Sequence, residues 1–213
     1  MSMQAESEVM IPCDGATLSG ELTVPPGAWG MVLFAHGSGS SRSSPRNRWV
    51  AHRLHEAQLG TLLFDLLTHE EEVVDSFTRH FRFDIPLLAD RLVAAARWTA
   101  EVDGVRELPL GIYGASTGGA AALVAAAKLG KKVGAVVSRG GRPDLASAWL
   151  PRVESPTLLM VGDRDRRVLE LNQEALVEMK APSELCLIQG AHHLFDEPGA
   201  LEKVGEETIR WFR

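Results

Sequence analysis

The stretch Leu110-Gly111-Ile112-Tyr113-Gly114-Ala115-Ser116-Thr117-Gly118-Gly119-Ala120 constrains the fold more tightly than any other part of the chain. Apolar, branched and aromatic residues lead up to Gly114 and small helix-favouring residues follow Gly118, so a strand turns into a helix with Ser116 at the corner. G-x-S-x-G at such a junction is the layout of a nucleophile elbow. Its chemistry requires the glycines: the serine sits on a sharp turn with unusual backbone angles, and only residues without side chains let strand and helix approach so closely. The turn lifts the Ser116 hydroxyl above the sheet, and the helix beneath it directs backbone N–H groups upward. A pentapeptide with two glycines and a serine is weak evidence alone, so the rest of the chain has to supply the partners.

The 213 residues, 45% of them hydrophobic, are enough to bury one full core, and the expectation is a single domain over residues 1–213. The net charge of −6 and the scattered basic residues exclude a sequence-independent phosphate-binding surface, so nucleic acid is not expected as a partner. Met1-Ser2-Met3-Gln4-Ala5-Glu6-Ser7-Glu8 is polar and acidic, without the basic and apolar regions of a leader, and no later apolar run approaches bilayer length. A cytoplasmic protein without membrane attachment is expected. Cys13 and Cys186 are too few for a disulfide framework and read as reduced, packed thiols.

Alternating segments at Glu8–Cys13 and Thr17–Val24 flank Asp14-Gly15-Ala16 and predict an opening antiparallel hairpin. Apolar runs at Gly30–Ala35, Thr61–Asp65, Pro109–Gly114, Val133–Ser138, Pro156–Val161 and Glu184–Gln189 read as strands covered on both faces. Between them come helices: one capped by Ser44 with Pro45 at its first position, one carrying Ile85, Leu88, Leu92 and Ala95, the alanine-rich Ser116–Leu129, then Val168–Met179 and Pro198–Phe212. Leu66–Phe83 shows no clean period and reads as a long loop, a lid or part of a pocket wall. Strands alternating with helices predict an α/β fold, a three-layer sandwich with a mostly parallel sheet, helices on both faces and no large cap domain.

In such a sheet the functional loops leave the C-terminal ends of the strands, here beginning at His36, Leu66, Ser116, Arg139, Gly162 and Gly190. The last two supply the acid and base that Ser116 needs. Gly162-Asp163-Arg164-Asp165 offers two carboxylates and Gly190-Ala191-His192-His193 two imidazoles, and the residues alone leave both choices open. The order Ser, Asp, His is the one found in α/β-hydrolases.

With these elements in place the chain resembles the α/β-hydrolase superfamily, and its dienelactone hydrolase-like branch in particular, from about Gly30 to Phe212. His36-Gly37 matches the family's H-G near the first oxyanion donor, Gly114–Gly118 the nucleophile motif, Gly162–Asp165 its G-x-x-D, and His193-Leu194-Phe195 its H-x-F. The fragments SGSSRSSPRN, TRHFRFDI, VVSRGGRPD and HLFDEPGAL are similar to those of a bacterial subgroup with that label. The resemblance implies Ser116 as nucleophile, His193 as general base and then acid, and Asp165 as the residue orienting the imidazole. It also implies an oxyanion hole from the backbone N–H groups of Thr117 and Ser38. Dienelactone hydrolases proper carry cysteine at the elbow with a nearby glutamate; here Ser116 stands there and no residue matches that glutamate.

The function expected is therefore hydrolysis of a small carboxylic ester or lactone through an acyl-Ser116 intermediate, with no cofactor or metal. Two other readings compete: a silent ligand-binding or regulatory module on the same fold, and a nucleotide-phosphate cradle. The second lacks the glycine and lysine spacing that such loops need. His36, Arg139 and His192 are candidate substrate contacts, with His36 also read as holding its loop, and Arg139 or Arg142 able to meet a substrate carboxylate. Glu70–Glu72 reads as a solvated face, His80 has no second metal ligand at a useful spacing, and the five tryptophans read as helix-face packing.

Overall fold

The computed structural model describes residues 5–213; Met1–Gln4, on which the reading of a leaderless start partly rests, lie outside the described residues. The chain opens with β1 (Ala5–Cys13) and β2 (Ala16–Val24), paired antiparallel, with Gly15 at φ 72° supplying the left-handed turn between them. There follow β3 (Gly30–Ala35), α1 (Pro45–Glu56), β4 (Leu59–Phe64), α2 (His69–Thr78), α3 (Ile85–Thr99), β5 (Leu110–Ala115) and α4 (Thr117–Leu129). The remainder is β6 (Val133–Arg139), a 3₁₀ stretch Pro143–Arg152, β7 (Thr157–Gly162), α5 (Arg166–Glu178), β8 (Ser183–Ile188) and α6 (Ala200–Phe212).

The eight strands form one sheet in the order β1-β2-β4-β3-β5-β6-β7-β8, antiparallel from β1 to β4 and parallel from there on. Every residue of β3, β4 and β7 is buried, which is why these strands read as continuous apolar runs rather than as alternation. One face packs on α3, α4, α5 and the 3₁₀ stretch, the other on α1 and α6, so two apolar layers flank the sheet. Ser44 accepts from the Asn47 amide and Pro45 opens α1, whose Val50 and Leu54 are fully buried. Truncating Leu54 to alanine would cost about 2–5 kcal/mol through lost burial and the cavity left behind.

The strands are the ones expected, with ends shifted by one to three residues: β1 starts at Ala5, β4 starts at Leu59 and leaves Asp65 outside, and Arg139 belongs to β6. Leu66–Phe83 departs from expectation, because it contains α2 and a 3₁₀ turn at Phe81–Phe83. The cause is a capping box: Thr68 accepts from the Glu71 amide at 3.2 Å while Glu71 accepts from the Thr68 amide at 2.8 Å. The acidic run is thus a helix start, and Glu71 is no solvated side chain, since it pairs with buried Arg91 at 2.7 Å. Trp29 is likewise not on a helix; it precedes β3 and donates to Ala57 O. No helix among the described residues is long and apolar enough to cross a membrane.

Candidate active site

Ser116 follows β5 directly and precedes α4, with φ 53° and ψ −120°. The surrounding backbone holds it there: its N–H donates to Arg139 O at 3.1 Å, and its carbonyl accepts from the amides of Gly119 (3.0 Å) and Arg142 (3.2 Å). A Cβ on Gly114 would collide with the Gly118 backbone, and one on Gly118 with the carbonyls of Ala35 and His36. The two outer glycines of the motif are therefore what let α4 press against the ends of β5 and β3. The first turns of α4, from Thr117 to Ala126, are buried throughout, as small side chains allow.

His193 and Asp165 arrive from the loops after β8 and β7. Ser116 Oγ lies 3.2 Å from His193 Nε2, and His193 Nδ1 lies 2.7 Å from Asp165 Oδ2. With the proton on Nδ1 donated to Asp165, Nε2 is left to accept from the serine hydroxyl; the hydrogen bonds assign this tautomer. The rival residues go elsewhere. Asp163 Oδ1 accepts from the Gly190 amide at 2.8 Å, tying the two loops together, and His192 Nδ1 pairs with Glu197 at 2.6 Å. His192 does not line the cleft at Ser116, so its expected contact with substrate has no geometric counterpart; the adjacent Glu197 carboxylate draws its ring aside.

His36 is buried and bridges two loops: its Nε2 accepts from the Leu66 amide at 3.0 Å and its Nδ1 lies 3.0 Å from Gly37 O. Burial pushes its pKa below the ordinary histidine value, keeping the ring neutral and able to accept that amide bond. Ser38 lines the same cleft as Ser116, Thr117 follows it in the chain, and neither amide donates to a protein acceptor among the described residues. Thr117 is the first residue of α4, where amides lack partners within the helix.

Two cavities meet here. A cleft of about 220 Å³ is lined by Ser116, His193, Arg139, Asn47, Arg46 and Leu194, among others. A larger one of about 490 Å³ runs under α2, with Leu66, Leu67, Val73, Phe77 and Leu88 as apolar walls and Thr117 at its end. Gly37, Ser38 and Ser40 line both. Arg142 is engaged twice by Asp144 (2.8 and 2.7 Å), which raises the arginine's pKa and lowers that of the carboxylate, so of the two arginines after Ser138 only Arg139 faces the cleft. Leu66–Phe83 walls a pocket as expected, but its helix and Asn47 were not foreseen; Thr68-x-x-Glu71 would have marked the helix, while nothing local marks Asn47. No group of three His, Cys, Asp or Glu among the described residues could hold a metal ion.

A family model described as an alpha/beta hydrolase domain matches residues 29–210. The dienelactone hydrolase from Anabaena variabilis is 54% identical, with a TM-score of 0.96 and coverage of 98% of this chain and 97% of that one. The chain belongs to the α/β-hydrolase superfamily, dienelactone hydrolase-like family. Est1E from Butyrivibrio proteoclasticus, at 18% identity and TM-score 0.81 over 96% of this chain and 97% of its own, shares the fold of this chain. A Mycobacterium tuberculosis H37Rv protein that carries the provisional name phosphoribosyl transferase is 52% identical over 207 residues, 97% of this chain. The match takes up 46% of that protein, so the chain spans about half the length of the curated relatives it matches.

Proposed function

We propose that the protein is a serine hydrolase that cleaves a small carboxylic ester or lactone by way of an acyl-Ser116 intermediate. The observation that carries this reading is the hydrogen-bonded chain from Ser116 Oγ through His193 to Asp165. His193 Nε2 takes the serine proton as Oγ attacks the substrate carbonyl, and Asp165 stabilises the imidazolium so formed. The tetrahedral oxyanion is held by the amides of Thr117 and Ser38, each such donor being worth about 10²–10³ in turnover. As the carbonyl reforms, the C–O bond to the leaving group breaks and His193 returns the proton to it, giving the free alcohol. Water then attacks the acyl-serine with His193 as base, the acid departs, and Ser116 regains its proton. The Anabaena relative supports hydrolase chemistry in general; the serine in place of cysteine is what favours simple esters here.

The test is intact mass after incubation with a fluorophosphonate, followed by peptide mapping. A single adduct on Ser116, lost in the His193→Ala protein, is the expected result. Absence of any adduct over hours at neutral pH would overturn the reading in favour of a ligand-binding module.

A further inference from the structure

We propose that Arg139 is the seat of an oxyanion group, carboxylate or phosphate, carried by the substrate. This deepens the acyl-serine reading and rests on it for the position of the ester bond. Two arginines are almost wholly buried, Arg91 at 5% exposure and Arg139 at 7%. Arg91 has Glu71 at 2.7 Å. Arg139 has no carboxylate within 4.0 Å among the described residues, and its polar neighbours are uncharged: Asn47 Oδ1 accepts a long 3.4 Å bond, and the buried Tyr113 hydroxyl, kept protonated by desolvation, lies beside a guanidinium whose Nε makes no well-formed hydrogen bond. The guanidinium also lies over the Phe195 ring, 5.4 Å from the centroid, a contact that attracts the cation without neutralising its charge.

A buried charge without a counter-ion is costly, and proteins keep one where a ligand supplies the missing partner. Arg139 opens onto the 220 Å³ cleft that Ser116 and His193 share, and its backbone carbonyl accepts from the Ser116 amide, so the cation stands on the strand next to the serine. The first turn of α1 adds to the same field: Ser44, Arg46 and Asn47 line the cleft at the positive end of the helix. Arg46 is itself satisfied by Asp196 at 3.1 Å, which leaves Arg139 as the unneutralised cation of the cleft. A planar guanidinium accepts a carboxylate or phosphate through two parallel hydrogen bonds, setting the ester at a fixed angle to Ser116. The 490 Å³ cavity with its apolar walls then takes the uncharged part of the substrate.

The experiment has a binding arm and a turnover arm. In the Ser116→Ala protein, calorimetric titration with monomethyl glutarate, methyl 3-phosphonopropionate and neutral dimethyl glutarate is expected to show saturable binding of an anionic ester and none of the neutral one at equal concentration. Preference for the first or second anion tells carboxylate from phosphate. With Ser116 intact, Arg139→Gln is expected to lower the ratio of kcat/KM for mono-4-nitrophenyl glutarate over 4-nitrophenyl acetate by about tenfold or more, mainly through KM, with partial recovery in Arg139→Lys. Equal binding of neutral and anionic esters, or an unchanged ratio in a folded Arg139→Gln protein, would overturn the proposal and mark Arg139 as structural. Anion binding in Ser116→Ala together with no fluorophosphonate adduct in the unaltered protein would overturn the acyl-serine reading alone.

Discussion

Replacing Ser116 by glycine stabilises the protein relative to replacing it by alanine. Ser116 has φ 53° and ψ −120°, a region that a residue with a Cβ adopts at a cost of about 1–3 kcal/mol. Alanine keeps that Cβ and the strain; glycine removes both. Glycine in turn loses more freedom on folding, a penalty of roughly 0.5–1 kcal/mol relative to alanine. The difference leaves glycine ahead by about 1 kcal/mol, or ~2–4 °C in Tm for a chain of this size. The comparison is clean because both variants lose the same hydroxyl and its bond to His193, and because Ser116 makes no side-chain capping bond to α4. The backbone bonds to Arg139, Gly119 and Arg142 persist in both, so the corner keeps its shape. Urea unfolding of the two variants, followed by far-UV circular dichroism and repeated as thermal melts, reads the difference directly. A glycine variant no more stable than the alanine variant would refute the claim that this corner stores strain at the reacting serine.

Three further outcomes are expected. Asp165→Asn, which spoils the tautomer of His193, lowers kcat for 4-nitrophenyl acetate by roughly 10²–10⁴-fold while leaving the melting temperature within a few degrees. Burial pushes the pKa of His55 from 6.5 to about 4, with His52 adding to the shift, so the unfolded chain takes up a proton that the folded one refuses. Stability therefore falls as pH drops from 6.5 towards 4, by a ceiling of roughly 3 kcal/mol that solvent screening of the half-exposed ring reduces to about 1–2 kcal/mol. Urea midpoints across that window, flatter in His55→Gln, check it. Arg82→Ala leaves buried Asp75 without its 2.5 Å and 3.2 Å bonds from the guanidinium, and α2 loosens by about 1–3 kcal/mol. Limited proteolysis within residues 69–83 should quicken; an unchanged cleavage rate would mean that the Thr68 capping box and the Glu71–Arg91 pair hold the helix unaided.

The order of strands and helices was legible because burial on both faces leaves a plain mark, as in Gly30–Ala35 and Thr157–Gly162, and because Ser44-Pro45 and the Gly114–Gly118 corner announce their geometry locally. The loops that supply Ser116 with its acid and base were legible from strand order, whereas the choice of Asp165 and His193 over their neighbours came from the family likeness and not from the residues alone. It depends on Asp163 being drawn to the Gly190 amide and His192 to Glu197, contacts that span 27 and 5 residues. Helix α2 was missed because its apolar residues Val73, Val74 and Phe77 are exposed, so no buried stripe gives it a period. Asn47 and the setting of the Arg139 charge reflect a contact between side chains 92 residues apart, on α1 and β6, which no local pattern encodes.

The loop His36–Ser40 forms a partition with the 220 Å³ cleft on one side and the 490 Å³ cavity on the other, pinned at its base by the bond from the Leu66 amide to His36. On the acyl-serine reading proposed above, a substrate straddling it would place its acyl and alcohol halves in different rooms, and the first product would leave by its own door while the other half stayed attached to the serine. Water would then enter through the vacated side, and the order of release would be a property of the walls. The same sharing ties the two preferences together: a change at Ser38 or Ser40 reshapes both compartments at once. Tuning for a bulkier alcohol will shift acyl preference as well, and paired substitutions across the partition will depart from additivity.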